Sequence, residues 1–532
     1  MPRAWRKDQQ RLLKKYDAKI GNKLSAIDDE QIKAGAWPQY YIGAYPYCFR
    51  LPESIEKGSD RPEAHDRAHA GEEERVVKMG QAPGTHWYHA HKHGSTAVDV
   101  SNGMVGAFII EGQYDKDLDG FYGAGWTRRQ PVLIINQLGT VPRLLSGGNQ
   151  TDPLPFSVNG RRQPRLVMRP GEVQLWRIVN ASGRGGVYLD GIYDASPEGA
   201  VAPPNRAPFE WKQLAQDGVQ FAKTNYDTSK DKSFLMVPGN RADLLVKAPE
   251  NAPQGQVYFL VVKNVIKKRD KERGDQLLLL TIEVTGANAK GNQSQLISSN
   301  QDYPAFPSFL RDIDRRDVKV KRTVAFGSEQ PKDWRSDASP LFTVHTVDGK
   351  KFDGNIGAVV LLDTFEEWKV ENFTTADSPP GLIDHPFHIH VNPFQVVEVF
   401  DPTEQVIVGG ESVPKFVFYK DDKKRPDLDQ AQCSLDLKEP DTWKDCHPTI
   451  PPNIWWDVFP IPSGSPAMDK DGIPFMDDQG KPIVAPGYFK MRSRFADYAG
   501  QYVLHCHILA HEDRGMMTIV EVAPYETPYK HR

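Results

Sequence analysis

The sequence predicts an all-β chain built from several sandwich domains, and three observations support this prediction. The chain has 532 residues, which is too long for one hydrophobic core and suits about three domains. Its 43 glycines and 42 prolines separate short segments rich in Val, Ile, Leu and aromatic residues, such as 131–136, 257–262 and 277–284, as turns separate the strands of a sandwich. Two internal echoes of the sequence also indicate that a sandwich unit is duplicated.

In the first echo, a turn-like segment precedes a strand-like segment. Residues 156–160 are followed by residues 176–180, and residues 342–349 are followed by residues 368–372. Each pair has the pattern of a hairpin that leads into an alternating strand. We therefore expect the same strand arrangement in the middle and last parts of the chain.

The second echo joins the two ends of the chain. His89-Ala90-His91 is followed by Gly103-Met104, and His505-Cys506-His507 is followed by Gly515-Met516. We therefore expect the first and last domains to share a metal-bearing corner. Charged or polar linkers near residues 127 and 300 divide the chain into predicted domains 1–126, 127–299 and 300–532, of which the middle one lacks metal ligands.

Composition excludes several classes of function. Lys and Arg number 66 against 70 Asp and Glu, a net charge of -4, with no long basic face, so nucleic acid is not an expected partner. No run approaches the roughly 20 apolar residues of a membrane helix, and the mean hydropathy is -0.55, so we expect a soluble protein without membrane insertion. Residues 1–23 are charged throughout and read as a solvated or poorly ordered segment without a secretory signal.

Four cysteines are too few for a disulfide scaffold in a chain of this size. They are Cys48, Cys433, Cys446 and Cys506. Cys433 and Cys446 are close in sequence and would suit a disulfide in an oxidising compartment. Two unpaired thiols are an equally open interpretation.

Ten of the 15 histidines lie in three short clusters, which packing alone does not explain. The clusters span residues 86–93, 385–390 and 505–511. Residues i and i+2 of a strand project from the same face, so His-x-His presents two imidazoles to one space. Such pairs suit a metal ion.

In the last cluster one strand can serve two metal centres. His505 and His507 share one face while Cys506 points to the other. A thiolate with two imidazoles and a weak axial thioether makes the trigonal blue-copper site of electron carriers. Met516 follows after a turn that Gly515 can form, and is the candidate axial ligand.

These motifs resemble the copper signatures of multicopper oxidases. Residues 385–390 and 505–516 are similar to the two C-terminal signatures of that family, and residues 84–91 resemble its second N-terminal signature. Residues 158–160, 170–171 and 238–243 resemble the metal-free middle domain of three-domain, laccase-like members. The resemblance covers roughly residues 80 to 525. It implies tandem cupredoxin-like Greek-key sandwiches, the first of them incomplete in this chain.

The resemblance also implies the ligand set and the cofactor, which is copper in type 1, type 2 and type 3 centres. His385, Cys506 and His511 would bind the type 1 copper with Met516 axial, and His388 would bind the type 2 copper. The type 3 pair would be held by five further imidazoles, those of His89, His91, His390, His505 and His507.

Other residues near the clusters receive different predictions. Glu512 matches an acidic position that similar enzymes use to deliver protons to dioxygen, although an ordinary surface carboxylate is also possible. His86 and His93 match no ligand position, and we expect them beside the cluster or at the surface. Trp455 and Trp456 are candidates either for the donor site or for the core.

One departure from the family pattern stands out. Multicopper oxidases carry a further N-terminal His-x-His-Gly, with one ligand for the type 2 copper and one for the type 3 pair, and it is missing here. The only histidines before residue 86 are His65 and His69, four apart and too distant along a strand to form one pair. We expect that the chain is truncated, that its type 2 copper is depleted and that its reduction of dioxygen is impaired.

The resemblance implies a copper-dependent oxidase that takes single electrons from phenols, aromatic amines or metal ions and reduces dioxygen to water. It also implies an extracytoplasmic location, secreted or periplasmic. A copper-binding or electron-transfer protein is the alternative that the missing signature favours. Copper nitrite reductases are a second alternative, against which stand both imidazoles beside Cys506. Only 10 methionines occur, without a Met-rich insertion, which disfavours a dedicated cuprous-ion oxidase.

Overall fold

The structure, a computed structural model, forms two compact units, residues 1–54 and residues 55–532. In the first unit it describes only Arg11, which is helical. In the second it describes residues 82–123, 126–138, 156–195, 205–265, 275–307, 310, 312–329, 343–376, 382–408, 411–419, 449–469, 472–496 and 498–524. The predictions for Cys48, His65, His69, Cys433 and Cys446, and for most of residues 1–23, lie outside the described residues.

The all-β prediction is confirmed. The strands before residue 127 form a two-stranded antiparallel ribbon, in the part of that region that the structure describes: β1 (Gly84–His89) and β2 (Val105–Ile110).

The middle of the chain folds into a sandwich of two sheets. Its strands are β3 (Val132–Asn136), β4 (Ser157–Val158), β5 (Arg165–Met168), β6 (Val173–Asn180), β7 (Gly186–Asp194), β8 (Glu210–Gln216), β9 (Val219–Gln220), β10 (Phe234–Met236), β11 (Arg241–Lys247), β12 (Gln256–Val265) and β13 (Gln276–Val284). One sheet has the order β4-β3-β6-β11-β8-β9 and the other β10-β7-β12-β13-β5. We call this part the middle sandwich.

The last part folds into a second sandwich, here called the C-terminal sandwich. Its strands are β14 (Val318–Glu329), β15 (Val344–Val347), β16 (Ile356–Leu361), β17 (Thr364–Asn372), β18 (His385–Ile389), β19 (Phe394–Val408), β20 (Glu411–Tyr419), β21 (Thr449–Ile450), β22 (Val458–Ile461), β23 (Ser465–Pro466), β24 (Val484–Ala485), β25 (Gly487–Phe495), β26 (Gly500–Cys506) and β27 (Met517–Ala523). A seven-stranded sheet, β15-β14-β17-β25-β19-β20-β21, faces a five-stranded sheet, β16-β27-β26-β18-β22. Strands β23 and β24 pair separately.

Helices are short in the described part of the chain. They are α1 (Thr96–Ser101), α2 (Gln113–Tyr122), α3 (Lys223–Thr228) and α4 (Leu509–Glu512), with 3-10 turns at Trp126–Arg129, Gly291–Ser294 and Arg315–Asp317. Among these residues no helix is both long and apolar enough to cross a membrane.

The first sequence echo corresponds to two equivalent turns. Asn159 and Gly160 both have positive φ, as do Asp348 and Gly349, which is the requirement of the tight hairpin turn that Asn-Gly and Asp-Gly favour. The expectation of an alternating strand after the first turn was wrong, because all eight residues of β6 are buried. This strand lies inside its sheet, with one face on the sandwich core and the other covered by α2.

The second echo also has a structural counterpart. Strands β1 and β2 flank α1 as strands β26 and β27 flank α4, and both pairs are antiparallel. The two corners meet, because the carboxylate of Asp513 accepts hydrogen bonds from the backbone N–H of Gly94, Thr96 and Ala97 at 2.8–3.0 Å. The ribbon therefore places its histidines against those of the C-terminal sandwich.

A buried ionic network fixes the ribbon to the middle sandwich. Arg177, on β6, contacts Asp243 at 3.2 Å and Asp115 at 2.6 Å. Thr85, on β1, donates to Asp243 at 2.5 Å. Removing one partner of such a buried pair lowers stability by about 3–5 kcal/mol. The network therefore holds β1 and its histidines in place against the middle sandwich.

Candidate metal centres

The thiol of Cys506 lies at the end of β26, opposite the start of β18. His385 is the first residue of β18, and His511 lies in α4, one short turn after Cys506. His385 and Cys506 are 0% exposed, and His511 is 7% exposed. The chain thus encloses two imidazoles and one thiol in the core of the C-terminal sandwich.

The donor atoms of this group form a small triangle. Cys506 Sγ lies 3.5 Å from His385 Nδ1 and 3.8 Å from His511 Nδ1, and the two nitrogens are 3.3 Å apart. Donors bound at about 2.0–2.3 Å to one first-row metal ion in a plane are separated by about 3.5–3.7 Å. The triangle therefore has the size of a trigonal metal site, which suits copper with its thiolate and two imidazoles.

Neighbouring side chains fix the two rings. The second nitrogen of His385, Nε2, is 2.9 Å from the hydroxyl of Thr374. The ring of His511 stacks on that of His345 with centroids 3.9 Å apart, and His345 in turn bonds Ser328 at 2.8 Å. These partners orient the nitrogens toward the thiol. Sequence reasoning missed His345, since it lies alone in the hairpin before Gly349 and outside the histidine clusters.

Met516 is completely buried beside this triangle. Its backbone carbonyl accepts from the N–H of Cys506 at 3.1 Å, and its N–H donates to the carbonyl of His511 at 3.0 Å. Its counterpart in the ribbon, Met104, is 57% exposed. The structure therefore places Met516, and not Met104, next to the thiol site.

Six other imidazoles assemble on the opposite side of Cys506. They come from the end of the ribbon, from β18 and from the end of β26, and are those of His89, His91, His388, His390, His505 and His507. Neighbouring ring centroids within this group, here called the imidazole cluster, are 4.8–5.6 Å apart. All six lie at the positions where paired histidines were predicted.

Three of the six form a tight subset. His505 Nε2 lies 3.1 Å from His91 Nε2 and 3.3 Å from His390 Nε2. Three imidazole nitrogens converging at this separation make a complete set of protein ligands for one ion. The remaining rings are those of His89, His388 and His507, and the ring centroid of His507 lies 5.4 Å from that of His89 and 5.6 Å from that of His388.

Backbone carbonyls orient these rings from outside. His89 Nδ1 lies 2.9 Å from the carbonyl of Ala90, and His388 Nδ1 lies 2.8 Å from that of Asp457. A ring N–H held by a carbonyl leaves the other nitrogen, Nε2, as the lone-pair donor, which is the arrangement that metal-binding histidines use.

The cluster is electrostatically suited to a cation. Burial lowers the pKa of His89 to about 4, and lowers those of His388, His390 and His507 well below the usual histidine value. These four imidazoles are therefore neutral at pH 7, which is the state that binds metal. In the same group, His507 Nδ1 is buried without a hydrogen-bond partner among the described residues, and a metal ion is one partner that would satisfy it.

Burial likewise raises the pKa of the Cys506 thiol. The thiol is thus protonated in the metal-free chain, and a bound cation would deprotonate it. Three features of these residues suit copper as a ligand-bound ion: neutral imidazoles, a thiol enclosed by two imidazoles, and an unsatisfied ring nitrogen.

Glu512 is not a surface carboxylate. It is fully buried, accepts from the Thr96 hydroxyl at 3.0 Å, and lies 3.2 Å from His505 Nδ1 and 3.5 Å from His91 Nδ1. Burial acts to raise its pKa, but His505, His91 and Thr96 hold the pKa at about 2. An ionised carboxylate therefore borders two rings of the tight subset.

A cavity of about 440 Å³ opens beside the imidazole cluster. Its lining includes His89, His91, His388 and His390, together with Arg241. The cavity gives a small molecule room to reach the cluster.

The other predicted residues lie outside both groups. His86 is packed against Gly218 and bonds the Ala82 carbonyl at 3.2 Å, and exposed His93 contacts Phe352 edge-on. Trp455 is 1% exposed and its indole N–H donates to the Leu310 carbonyl at 2.8 Å. Trp455 is therefore a core residue, while Trp456 is half-buried against Phe459.

Comparisons with known proteins show which proteins the chain is similar to. The sequence pattern of the family described as multicopper oxidase matches residues 318–411 and 483–526. The chain is 23% identical to a multicopper oxidase of Staphylococcus aureus over 84% of this chain and 71% of that protein. It is 22% identical to a laccase of Bacillus subtilis over 82% of this chain and 70% of that protein.

Solved structures show the same fold. A laccase from Pediococcus acidilactici superposes with a TM-score of 0.51 at 18% identity, covering 84% of this chain and 71% of that one. A laccase-like multi-copper oxidase from Ochrobactrum superposes with a TM-score of 0.50 at 18% identity, covering 84% and 78%. The sandwiches therefore have the cupredoxin-like fold of these oxidases, and the C-terminal sandwich carries the sequence pattern of the multicopper oxidase family.

Proposed function

We propose that the chain is a laccase-like oxidase that takes single electrons from a small reducing substrate and reduces dioxygen to water. The observation that carries this proposal is the placement of Cys506. Its thiol lies in the triangle with His385 and His511, while the flanking His505 and His507 lie in the imidazole cluster. One strand end thus joins an electron-accepting site to a site for dioxygen.

In this proposal His385, Cys506 and His511, with Met516 as a weak further ligand, would hold a type 1 copper, and the imidazole cluster would hold the type 2 and type 3 coppers, with His388 at type 2. Copper bound there would supply one-electron acceptance at the triangle and, at the cluster, the reduction of dioxygen by four electrons and four protons to two waters. His505 and His507 are bonded directly to Cys506 in the chain, so only a few covalent bonds separate the two sites.

Glu512 is proposed to serve proton transfer. Its ionised carboxylate borders His91 and His505 and is held by the hydroxyl of Thr96. It can accept a proton transiently and pass it toward the place where dioxygen is reduced. The cavity at the cluster supplies the room for dioxygen and water.

The donor is proposed to be a phenol, an aromatic amine or a metal ion. Such donors need only approach the edge of a type 1 imidazole, and none has to enter the imidazole cluster. The family resemblance supports an extracytoplasmic location.

Oxygen consumption with a phenolic donor tests the proposal. We expect copper-loaded protein to consume dioxygen and to release no hydrogen peroxide, because the four-electron product is water. Blue protein that is reduced by the phenol but consumes no dioxygen would instead establish the second candidate, a copper-binding or electron-transfer protein. That candidate is favoured by the unequal grouping of the cluster, in which, among the described residues, only His91, His390 and His505 bring three ligand atoms close together.

Replacing the axial residue tests the type 1 assignment. For Met516→Leu we expect a higher reduction potential with the blue colour preserved, because a thioether donates weakly to the oxidised ion and a hydrocarbon does not. The swap nearly conserves volume, so stability should fall by less than about 1.5 kcal/mol. A redox titration followed at the blue absorption measures the potential.

Met104→Leu is the matched control for this substitution. Met104 occupies the equivalent place in the ribbon but is exposed, so its variant should keep the original potential. An unchanged or lower potential in Met516→Leu would remove Met516 from the ligand set.

A further inference from the structure

The middle sandwich touches the imidazole cluster through one loop, residues 237–241. Gly239 in this loop has φ +95°. A Cβ placed there would lie 2.8 Å from Cδ2 of His507 and 3.0 Å from Cγ2 of Val458. Only glycine fits such an approach, so the loop is held directly against a ligand ring and against β22.

Arg241 follows in this loop, and its guanidinium joins three parts of the chain. Both terminal nitrogens bond the carboxylate of Asp457 at 2.6 Å. Other N–H groups donate to the carbonyls of Thr85 at 3.2 Å, Asp217 at 2.9 Å and Gly239 at 3.1 Å. The guanidinium is 3% exposed and is therefore a buried, planar connector between the ribbon, the loop and the C-terminal sandwich.

Two neighbours of Arg241 hold the backbone on which Asp457 lies. The buried carboxylate of Asp217 accepts from the N–H groups of Asp457 at 3.2 Å and Val458 at 3.3 Å. Asn240 donates to the carbonyl of Val458 at 2.9 Å and to the Asp217 carboxylate. The side chain of Asp457 and the backbone of residues 457–458 are thus both held by hydrogen bonds.

This fixed segment is the one that orients His388. The carbonyl of Asp457 lies 2.8 Å from His388 Nδ1, and Val458 is the register partner of His388 where β22 pairs with β18. The direction of the His388 lone pair therefore depends on where the Asp457 carbonyl is held.

We propose that Arg241 is a positioning residue for the copper bound by His388. Through its two-point bond to Asp457 it sets the Asp457 carbonyl, and the carbonyl sets the ring. The identity of the metal rests on the function proposed above, whereas the effect on the ring does not. The middle sandwich contributes none of the nine histidine and cysteine ligand candidates. Through Arg241 it nevertheless orients a ring of the imidazole cluster.

The geometry distinguishes positioning from simple stabilisation. A buried ion pair is weak evidence for stability, because desolvation offsets much of the attraction. A bidentate guanidinium, in contrast, fixes a carboxylate in plane and direction, which a lysine ammonium cannot do. Residues that orient a ligand in this way typically change metal affinity by about 10–100-fold.

The test is Arg241→Lys, which keeps the buried positive charge and removes the planar fork. Arg492→Lys is the matched control, since Arg492 is also 3% exposed and bonds the carboxylate of Glu367 and the carbonyl of Ile313, away from the copper clusters. Both variants and the parent chain are crystallised without metal, and their copper binding is measured by titration. Asp457→Asn is a second variant that shortens no side chain and removes the anion.

We expect the His388 Nδ1 to Asp457 carbonyl distance to exceed about 3.5 Å, beyond hydrogen-bond range, in Arg241→Lys and Asp457→Asn but not in Arg492→Lys. We also expect the weak copper binding at His388, titrated with excess copper and followed by the type 2 signal, to weaken about 10–100-fold with the blue absorption unchanged. An unaltered His388 bond and unaltered copper binding in the Arg241 and Asp457 variants would overturn the proposal. Loss of copper from all proteins alike would count against the proposed function, while the metal-free crystals would still decide the positioning role.

Discussion

Cys506→Ser is expected to abolish both the blue colour and substrate oxidation, with activity falling to background. A serine oxygen is a harder and weaker donor than a thiolate, so it cannot give the copper-thiolate site that the triangle with His385 and His511 would form. Absorption spectroscopy of copper-loaded protein and the rate of phenol oxidation measure the two losses.

The variant should remain folded. A buried hydroxyl in place of the thiol costs about 1–3 kcal/mol if it finds no partner, which thermal unfolding would register as a modest shift. Cys48→Ser serves as the control, because Cys48 lies in no histidine cluster of the sequence, and it should stay blue and active. Persistence of the blue absorption in Cys506→Ser would refute the type 1 assignment.

Much of the fold could be predicted because its signals are local. The segments 131–136, 257–262 and 277–284 correspond to strands β3, β12 and β13. The turns at Asn159-Gly160 and Asp348-Gly349 could be predicted, because these residue types tolerate positive φ. The fully buried strand β6 was not predicted as such, because burial on its second face comes from α2, which is distant in sequence.

The candidate sites divide in the same way. His505, Cys506 and His507 reveal two centres because strand alternation sends neighbours to opposite faces. No comparable pattern marks the stack of His345 on His511 or the bond between Arg241 and Asp457, which joins residues 216 positions apart. Such contacts depend on how the sandwiches pack, so sequence spacing does not contain them.

The second large effect that we expect is a low copper content. The chain should bind fewer than the four coppers that the family resemblance implies. The triangle of His385, Cys506 and His511 is complete and should fill. The subset of His91, His390 and His505 offers three converging nitrogens and should also bind one ion. These two sites have their full set of protein donors.

The rest of the imidazole cluster is less well provided. Among the described residues, His89, His388 and His507 belong to no set of three ligand atoms as close as those of the other two sites. One or two imidazoles rarely hold a divalent ion against solvent, and the sequence contains no second His-x-His before residue 86. We therefore expect a depleted type 2 signal, an intact blue signal and slow turnover with dioxygen.

Copper analysis combined with electron paramagnetic resonance on the purified chain decides this prediction. The blue absorption serves as the internal reference, because each chain contributes one Cys506 site, and the ratio of type 2 to type 1 signal then reports how far the site at His388 is filled. Added copper should raise that ratio only weakly, since among the described residues His388 belongs to no close set of three ligand atoms. Four coppers with a full type 2 signal would contradict the expectation and would require further ligands, from His65 and His69 or from a neighbouring chain. Substituting both of those histidines by alanine would then separate the two sources. The type 2 signal would fall if His65 and His69 supply the ligands, and it would persist if a neighbouring chain supplies them.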